Sequence, residues 1–351
     1  GGEDFGTALQ AIRRIHQNAG TNDLRALVQT YLSLHILGGL RVPDHYANLQ
    51  HPNEHVRAWA IRFLTEDWTL DDALGPKRIS NSDQREPSFS NKPWETANAK
   101  TTMEKLIQMT PQDSSALVRL TLASTLQRLP VTSRVSLASE LAKFSQDAND
   151  HNLPLMIWYG LIAVSEHHPE SLVEFAAQCR LHKTLQLVSR SVAEQIDQRP
   201  ENANELLKIA LRDPTKQHSI LAGFSDGLRG WQNATMPKCW PEIQKIETAT
   251  VSPMISELSV LFGDGRAVEG LKHLASNREL PDIPLRIQAL QTLIRNKSPD
   301  VKELCLSLLN DNRINFVAAQ GLASFDDTQT ADQLIKNYHR FRGPKRPQIT
   351  K

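Results

Sequence analysis

Asp147, Asp150, His151 and Asn152 are the densest group of potential metal ligands and acid–base side chains in the sequence. Oxygen ligands crowded into one turn suit a hard cation such as calcium, but this spacing lacks the glycine and the terminal bidentate glutamate of an EF-hand loop. Helix capping gives the same residues a use without any ion. The turn runs into Leu153-Pro154-Leu155, so Asp150 or Asn152 can accept hydrogen bonds from the first free backbone N–H groups, and Pro154 falls where a missing N–H costs nothing. The four residues are read first as a structural turn, next as an interaction surface, and last as a metal or catalytic site.

Other chemistry-bearing groups are weaker. In Glu166-His167-His168-Pro169 the adjacent histidines diverge around a helix and no i, i+4 partner completes a zinc-binding face, which leaves a solvated helix end. Gly263-Asp-Gly265 and Gly270 have neither a preceding strand nor a Lys-Ser/Thr pair, so a turn between helices is expected instead of a phosphate loop. Ser189 and Ser191 have no nucleophile elbow around them. Cys179, Cys239 and Cys305 lie far apart, without C-x-x-C or C-x-x-C-H spacing, and read as small buried apolar residues. Arg57, Arg119 and Arg286 are a different kind of signal because they recur at equivalent places. A recurring arginine can donate two hydrogen bonds to a carboxylate or carbonyl of the neighbouring repeat, and a structural ladder is the favoured reading.

The elements that carry these residues are amphipathic helices. Leu155, Trp158, Tyr159, Ile162 and Ala163 recur at i, i+3, i+4, i+7 and i+8, and the apolar stretch Leu153 to Val164 around them predicts a helix packed on both sides. The pattern occurs nine times, starting near Leu27, Val56, Val118, Leu155, Leu185, Ile220, Ile255, Leu285 and Ile314. Trp59, Trp158 and Trp231 fall on these faces and are assigned to the core. Second amphipathic segments lie between copies, at 135–144, 172–179, 206–211, 268–274, 301–309 and 334–341. From Leu155 onward the copies are about 30 to 35 residues apart, a period that signals stacked helix pairs. The fold expected is therefore all-α, a superhelix of roughly nine helix pairs, because one pair alone cannot bury both of its faces.

Val56 to Val118 is about twice the usual interval. The excess is the Pro-, Ser- and Asn-rich stretch from about 68 to 99, read as a surface insertion that is either disordered or a binding loop anchored by Phe89 and Trp94. Residues 1–342 are expected to form one repeat domain and 343–351 a C-terminal linker. Forty basic against thirty-nine acidic side chains give a formal charge of +1, without the basic excess that favours nucleic acid or an anionic membrane surface. The longest apolar run is too short to span a bilayer.

The Val/Leu-Arg pairs at Val56-Arg57, Val118-Arg119 and Leu285-Arg286 resemble those of HEAT repeats. A narrower resemblance rests on Leu34-His-Ile-Leu-Gly-Gly-Leu40, on the string from His51 to Leu64, on the string from Leu117 to Pro130, and on Asp147 to Gly160. Together these strings resemble the HEAT-repeat region of the large haem-binding proteins of Planctomycetes and their relatives, labelled membrane-bound dehydrogenases. In that family a β-propeller precedes the repeats and a c-type cytochrome domain follows them. No residue of this chain matches the family's haem ligands, so the resemblance implies no cofactor here and places c-type haem elsewhere in a larger, exported, periplasmic parent. It implies a non-catalytic scaffold whose partners are neighbouring domains of that parent or another protein. The alternative is a free-standing repeat protein that binds a peptide or protein partner in its groove.

Overall fold

The computed structural model describes residues 2–19, 23–68, 70–71, 97–231, 233–263, 265–298, 300–325, 328–341 and 346. Among them are nineteen α-helices, several single 3-10 turns and no strand. The helices pack into two compact units, Gly1–Val188 and Ser189–Lys351. The first holds α1 (Gly2–Asn18), α2 (Leu24–Ile36), α3 (Val42–Asn48), α4 (Glu54–Thr65), α5 (Ala97–Met109), α6 (Ala116–Thr125), α7 (Val131–Leu141), α8 (Leu153–His167) and α9 (Glu170–Gln178), and the division falls within α10 (His182–Ala193). The second holds α11 (Pro200–Arg212), α12 (Gln217–Gly227), α13 (Trp240–Ile243), α14 (Ser252–Leu261), α15 (Gly265–Ser276), α16 (Ile283–Arg295), α17 (Val301–Leu308), α18 (Asn315–Leu322) and α19 (Thr328–Asn337).

The nine apolar copies fall on the even-numbered helices α2 to α18, and the six intervening segments on α7, α9, α11, α15, α17 and α19. Helices α1, α3, α5 and α13 were not expected. Local chemistry sets many of the starts. Asp23, Asn53, Ser115 and Asp282 each accept a hydrogen bond from the first turn of α2, α4, α6 and α16, satisfying donors that have no partner within the helix. Proline stands in the first turn of α3, α8, α11, α14 and α16. Of the expected insertion, residues 69 and 72–96 lie outside the described residues, Phe89 and Trp94 included. Trp68 and Ala99 near its two ends are buried. The expected linker at 343–351 lies outside them as well, except for Arg346.

Several faces turn differently from the periodic reading. On α6 and α10 the expected residues are buried. On α8, however, the buried side is Leu153, Ile157, Gly160, Leu161 and Val164; of the expected face Ala163 is buried, while Leu155, Trp158, Tyr159 and Ile162 are only half-buried. A helix that is apolar all round has no unique stripe, and the choice is made by close packing. A Cβ placed on Gly160 would lie 2.3 Å from the Cβ of Leu126, itself fully buried, so the glycine is what lets α8 approach that turn. The tryptophan assignments are corrected on similar grounds. Trp59 is half-buried beside Phe63 with the Arg62 guanidinium 4.7 Å from its ring. Trp231 is half-buried and follows the end of α12, where helical spacing no longer places it. The buried tryptophans are Trp68 and Trp240, and the Trp240 indole N–H donates to Ser259 Oγ at 3.0 Å.

Gly160→Ala is expected to destabilise the first unit by about 1–3 kcal/mol, because the added methyl has to displace Leu126 in a filled core. Urea unfolding of the variant checks this; a loss of less than a few tenths of a kcal/mol would show that α8 is free to move away.

Candidate functional site

Arg57, Arg119 and Arg286 are each the fourth residue of their helices, α4, α6 and α16. Arg57 donates through Nε and Nη2 to the two carboxylate oxygens of Asp113, at 2.7 and 2.9 Å, and through Nη1 to the carbonyls of His51 and Pro52. Two helices on, Arg119 repeats the arrangement: Nε and Nη2 donate to Asp147 at 2.5 and 2.6 Å, and Nη1 to the carbonyls of Asp113 and Ser114. Its guanidinium also lies 4.5 Å from the centre of the Phe144 ring. In the second unit Arg286 donates to Asp311 at 2.7 Å and to the Ala275 carbonyl. Each guanidinium thus ties the start of its own helix to the loop before the next even-numbered helix, α6, α8 or α18. Burial alone would raise the Asp311 carboxyl, but hydrogen bonds from Arg286 and the Arg313 backbone hold it below the usual range. Asn315 follows Ile314 as the arginines follow Val56, Val118 and Leu285, but it is the first residue of α18, not the fourth, and its amide donates to the Arg340 carbonyl at 3.3 Å.

The 147–152 turn divides along this frame. Asp147 is 5 % exposed and is consumed by Arg119. Asp150 is the side chain that caps α8: its Oδ1 accepts from the backbone N–H of Asn152 at 2.8 Å and of Leu153 at 2.7 Å, and these bonds lower its pKa. Asn152 occupies the N-cap position without a side-chain cap bond, and His151 and Asn152 are exposed. The structure therefore does not gather the four residues about one point. His167 is exposed and His168 lies 3.6 Å from Glu170. Ser189 and Ser191 are buried, as are the three cysteines, which are free thiols. Burial raises the thiol of Cys305 to about 12 and that of Cys239 above its ordinary value.

Two features went unread in the sequence. Arg134, also the fourth residue of its helix, is 2 % exposed and donates to the carbonyls of Leu129, Gly160 and Gln127 while pairing with Asp71. Its position in α7 was the signal that could have found it. The second feature is a hydrogen-bonded chain of rings. Tyr31 Oη lies 2.8 Å from His45 Nδ1, His45 Nε2 lies 3.3 Å from His35 Nδ1, and His35 Nε2 lies 2.7 Å from Glu66 Oε1. An ionised Glu66 only accepts, so His35 donates from Nε2, accepts at Nδ1 from the Nε2–H of His45, and leaves His45 Nδ1 to accept from Tyr31. One proton arrangement satisfies every link with both imidazoles neutral. The His35 ring stacks on Phe63 at 3.6 Å, and the chain runs from a fully buried phenol to an exposed carboxylate. Tyr31 and His35 are four residues apart on α2, which puts them on one helix face, but His45 reaches them only across the turn at Gly38-Gly39.

Among the described residues no group of three or more His, Cys, Asp or Glu side chains is placed to hold a metal ion, and no helix is long and apolar enough to cross a membrane. The buried and separate cysteines do not fit covalent haem attachment on this chain. No protein-family model matches the chain, nor does any curated protein or solved structure.

Breaking a rung and removing a cap have different costs. Asp147→Ala leaves the Arg119 charge buried without its partner and is expected to cost about 3–5 kcal/mol. Asp150→Ala removes only a cap, at about 0.5–2 kcal/mol, and His151→Ala leaves the melting temperature nearly unchanged. Denaturant unfolding of the three variants tests the order; equal losses at Asp147 and Asp150 would remove the distinction.

The ring chain also fixes a pH response. Burial, then the neighbouring His35, push His45 down to about 4 from 6.5, with Asp44 opposing them. Between those values the unfolded chain takes up a proton that the folded chain refuses, so stability is greatest above about pH 6.5 and falls as pH drops towards about 4. His16 and His51, both lowered chiefly by burial, act in the same direction. The depressed carboxyls of Asp150 and Asp311 act only below their ordinary value of 3.8, outside this window. Unfolding free energies at pH 7, 6 and 5 should decline, and His45→Gln should flatten the decline; an unchanged slope in the variant would remove His45 as its source.

Proposed function

We propose that this chain is a non-catalytic helical-repeat scaffold whose helix pairs stack in the manner of HEAT repeats within each unit. The observation that carries the reading is the recurrence of one rung, Arg57–Asp113, Arg119–Asp147 and Arg286–Asp311, each joining a helix to the loop ahead of the next even-numbered helix. Rungs of this kind give each element its strongest polar ties to sequence neighbours, which is how a nearest-neighbour array holds its shape. The turn that groups Asp147, Asp150, His151 and Asn152 is likewise taken up by a rung and a cap, which favours a structural use over a catalytic one. The partners on this reading are neighbouring domains or another protein.

The wider proposal, that the scaffold joins a β-propeller to a c-type cytochrome domain in an exported dehydrogenase-like parent, rests on the sequence strings from Leu34 to Gly160. The coding sequence on either side tests it: a propeller upstream and Cys-x-x-Cys-His downstream support it, and their absence leaves the free-standing, partner-binding alternative. The stacking itself is tested by hydrogen exchange on Asp147→Ala in the full chain. Loss of protection should centre on α6 to α8 and leave α16 to α18 near wild type. Uniform loss throughout would identify one cooperative globule instead of a repeat array.

A further inference from the structure

A cavity of about 690 Å³ opens in the second unit between the end of α14, the start of α15 and the loop after α16. Its size falls within the roughly 300–1,000 Å³ of small-molecule sites. Val260, Leu261 and Val268 give it buried apolar walls, and Lys272, Glu269 and Asp300 stand among its polar lining. Three unusual features meet there. Lys297 and Asp300, with φ of 45° and 60°, are the two non-glycine residues in the left-handed region among the described residues, and both line this cavity. Gly263, with φ of 75°, lines it too. Ser298, 5 % exposed, is a further lining residue, and its hydroxyl oxygen is buried without a hydrogen-bond partner among the described residues. Gly263 and Lys297 end α14 and α16, where a left-handed residue commonly closes a helix. The left-handed Asp300 and the unpaired Ser298 hydroxyl are the features of the cavity that cost free energy without a structural use.

We propose that this cavity binds a small neutral molecule with an apolar body and one hydroxyl or carbonyl group. The apolar walls take the body. Ser298, which can donate or accept, takes the polar group. Charge sets the ligand's neutrality. The Lys272 ammonium is already held between Glu269 at 2.9 Å and Asp300 at 3.1 Å, so an anion entering beside it displaces a carboxylate and a cation displaces the lysine. Lys297 adds one exposed positive charge, and the four charged side chains among the described lining residues, Glu269, Lys272, Lys297 and Asp300, cancel. This site lies apart from the rungs on which the scaffold reading rests and stands independently of it.

The probe is 2-naphthol, neutral at pH 7, titrated into the full chain and followed by its fluorescence, with 2-naphthalenesulfonate as the anionic counterpart. One saturable site is expected for the naphthol and far weaker binding for the sulfonate. Ser298→Ala should weaken the naphthol by about three- to tenfold, the worth of one hydrogen bond. Val268→Trp, which fills the cavity, should abolish binding while circular dichroism stays helical. If that variant does not fold, Asn296→Cys at the rim decides: the native thiols are buried, so alkylation reports this position, and 2-naphthol should slow it. The proposal is overturned if 2-naphthol shows no saturable binding, if a folded Val268→Trp binds as wild type does, or if Asn296→Cys is alkylated at the same rate with the probe present. Sulfonate binding as tight as naphthol binding would overturn the neutral-ligand assignment.

Discussion

A guanidinium removed from water has to find acceptors for its five N–H groups, and the arrangement of this protein's helices follows from where Arg119 finds them. Asp147 takes two, from the loop ahead of α8, and the carbonyls of Asp113 and Ser114 take two more from the loop ahead of α6. Asp113 in turn accepts from Arg57, so the two rungs share a loop and neither can shift alone. The Coulombic gain of such a pair is largely offset by the cost of taking both charges out of water. What the pairs supply is geometry, since a bidentate guanidinium–carboxylate contact fixes distance and orientation together.

Apolar contact would not impose the same order. The α8 helix is apolar on every side, and several rotations about its axis would bury a comparable area. Gly160, which admits Leu126, and the Arg134 guanidinium, which donates to the Gly160 carbonyl, select one of them. The Asp150 cap fixes where that helix begins, six residues after the loop reaches Asp147. Polar ties of this type position the elements, and the core fills in around them.

The second unit carries the same device in a looser form. Arg286 has a single contact to Asp311 in place of the fork, and its Nη1 is buried without a partner among the described residues. The aromatic–histidine chain of the first unit has no counterpart among the features described in the second. There the unusual features are instead the strained residues and the unpaired serine beside the cavity near α14 to α16. The two units therefore share a rung chemistry while concentrating their remaining polar groups differently.

Helix number and kind were largely legible before any coordinates, because a period of 3.6 and its caps are local properties of the chain. Nine apolar copies, the first-turn Pro154 and the recurrence of Arg57, Arg119 and Arg286 all follow from spacing alone. The apolar period could not say which side of α8 faces inward, or that Trp59, Trp158 and Trp231 stay at the margin while Trp240 is enclosed, because burial depends on what lies opposite. Nor could it say which carboxylate an arginine takes: Asp147 and Asp150 look alike three residues apart, and only the position of Arg119 makes one a rung and the other a cap. The chain from Tyr31 through His45 and His35 to Glu66, and the cavity beside Ser298, join residues from different helices. Sequence spacing determines what each helix carries on its surface; the meeting of surfaces is set by three-dimensional packing, where one glycine or one buried guanidinium decides between arrangements of nearly equal hydrophobic energy.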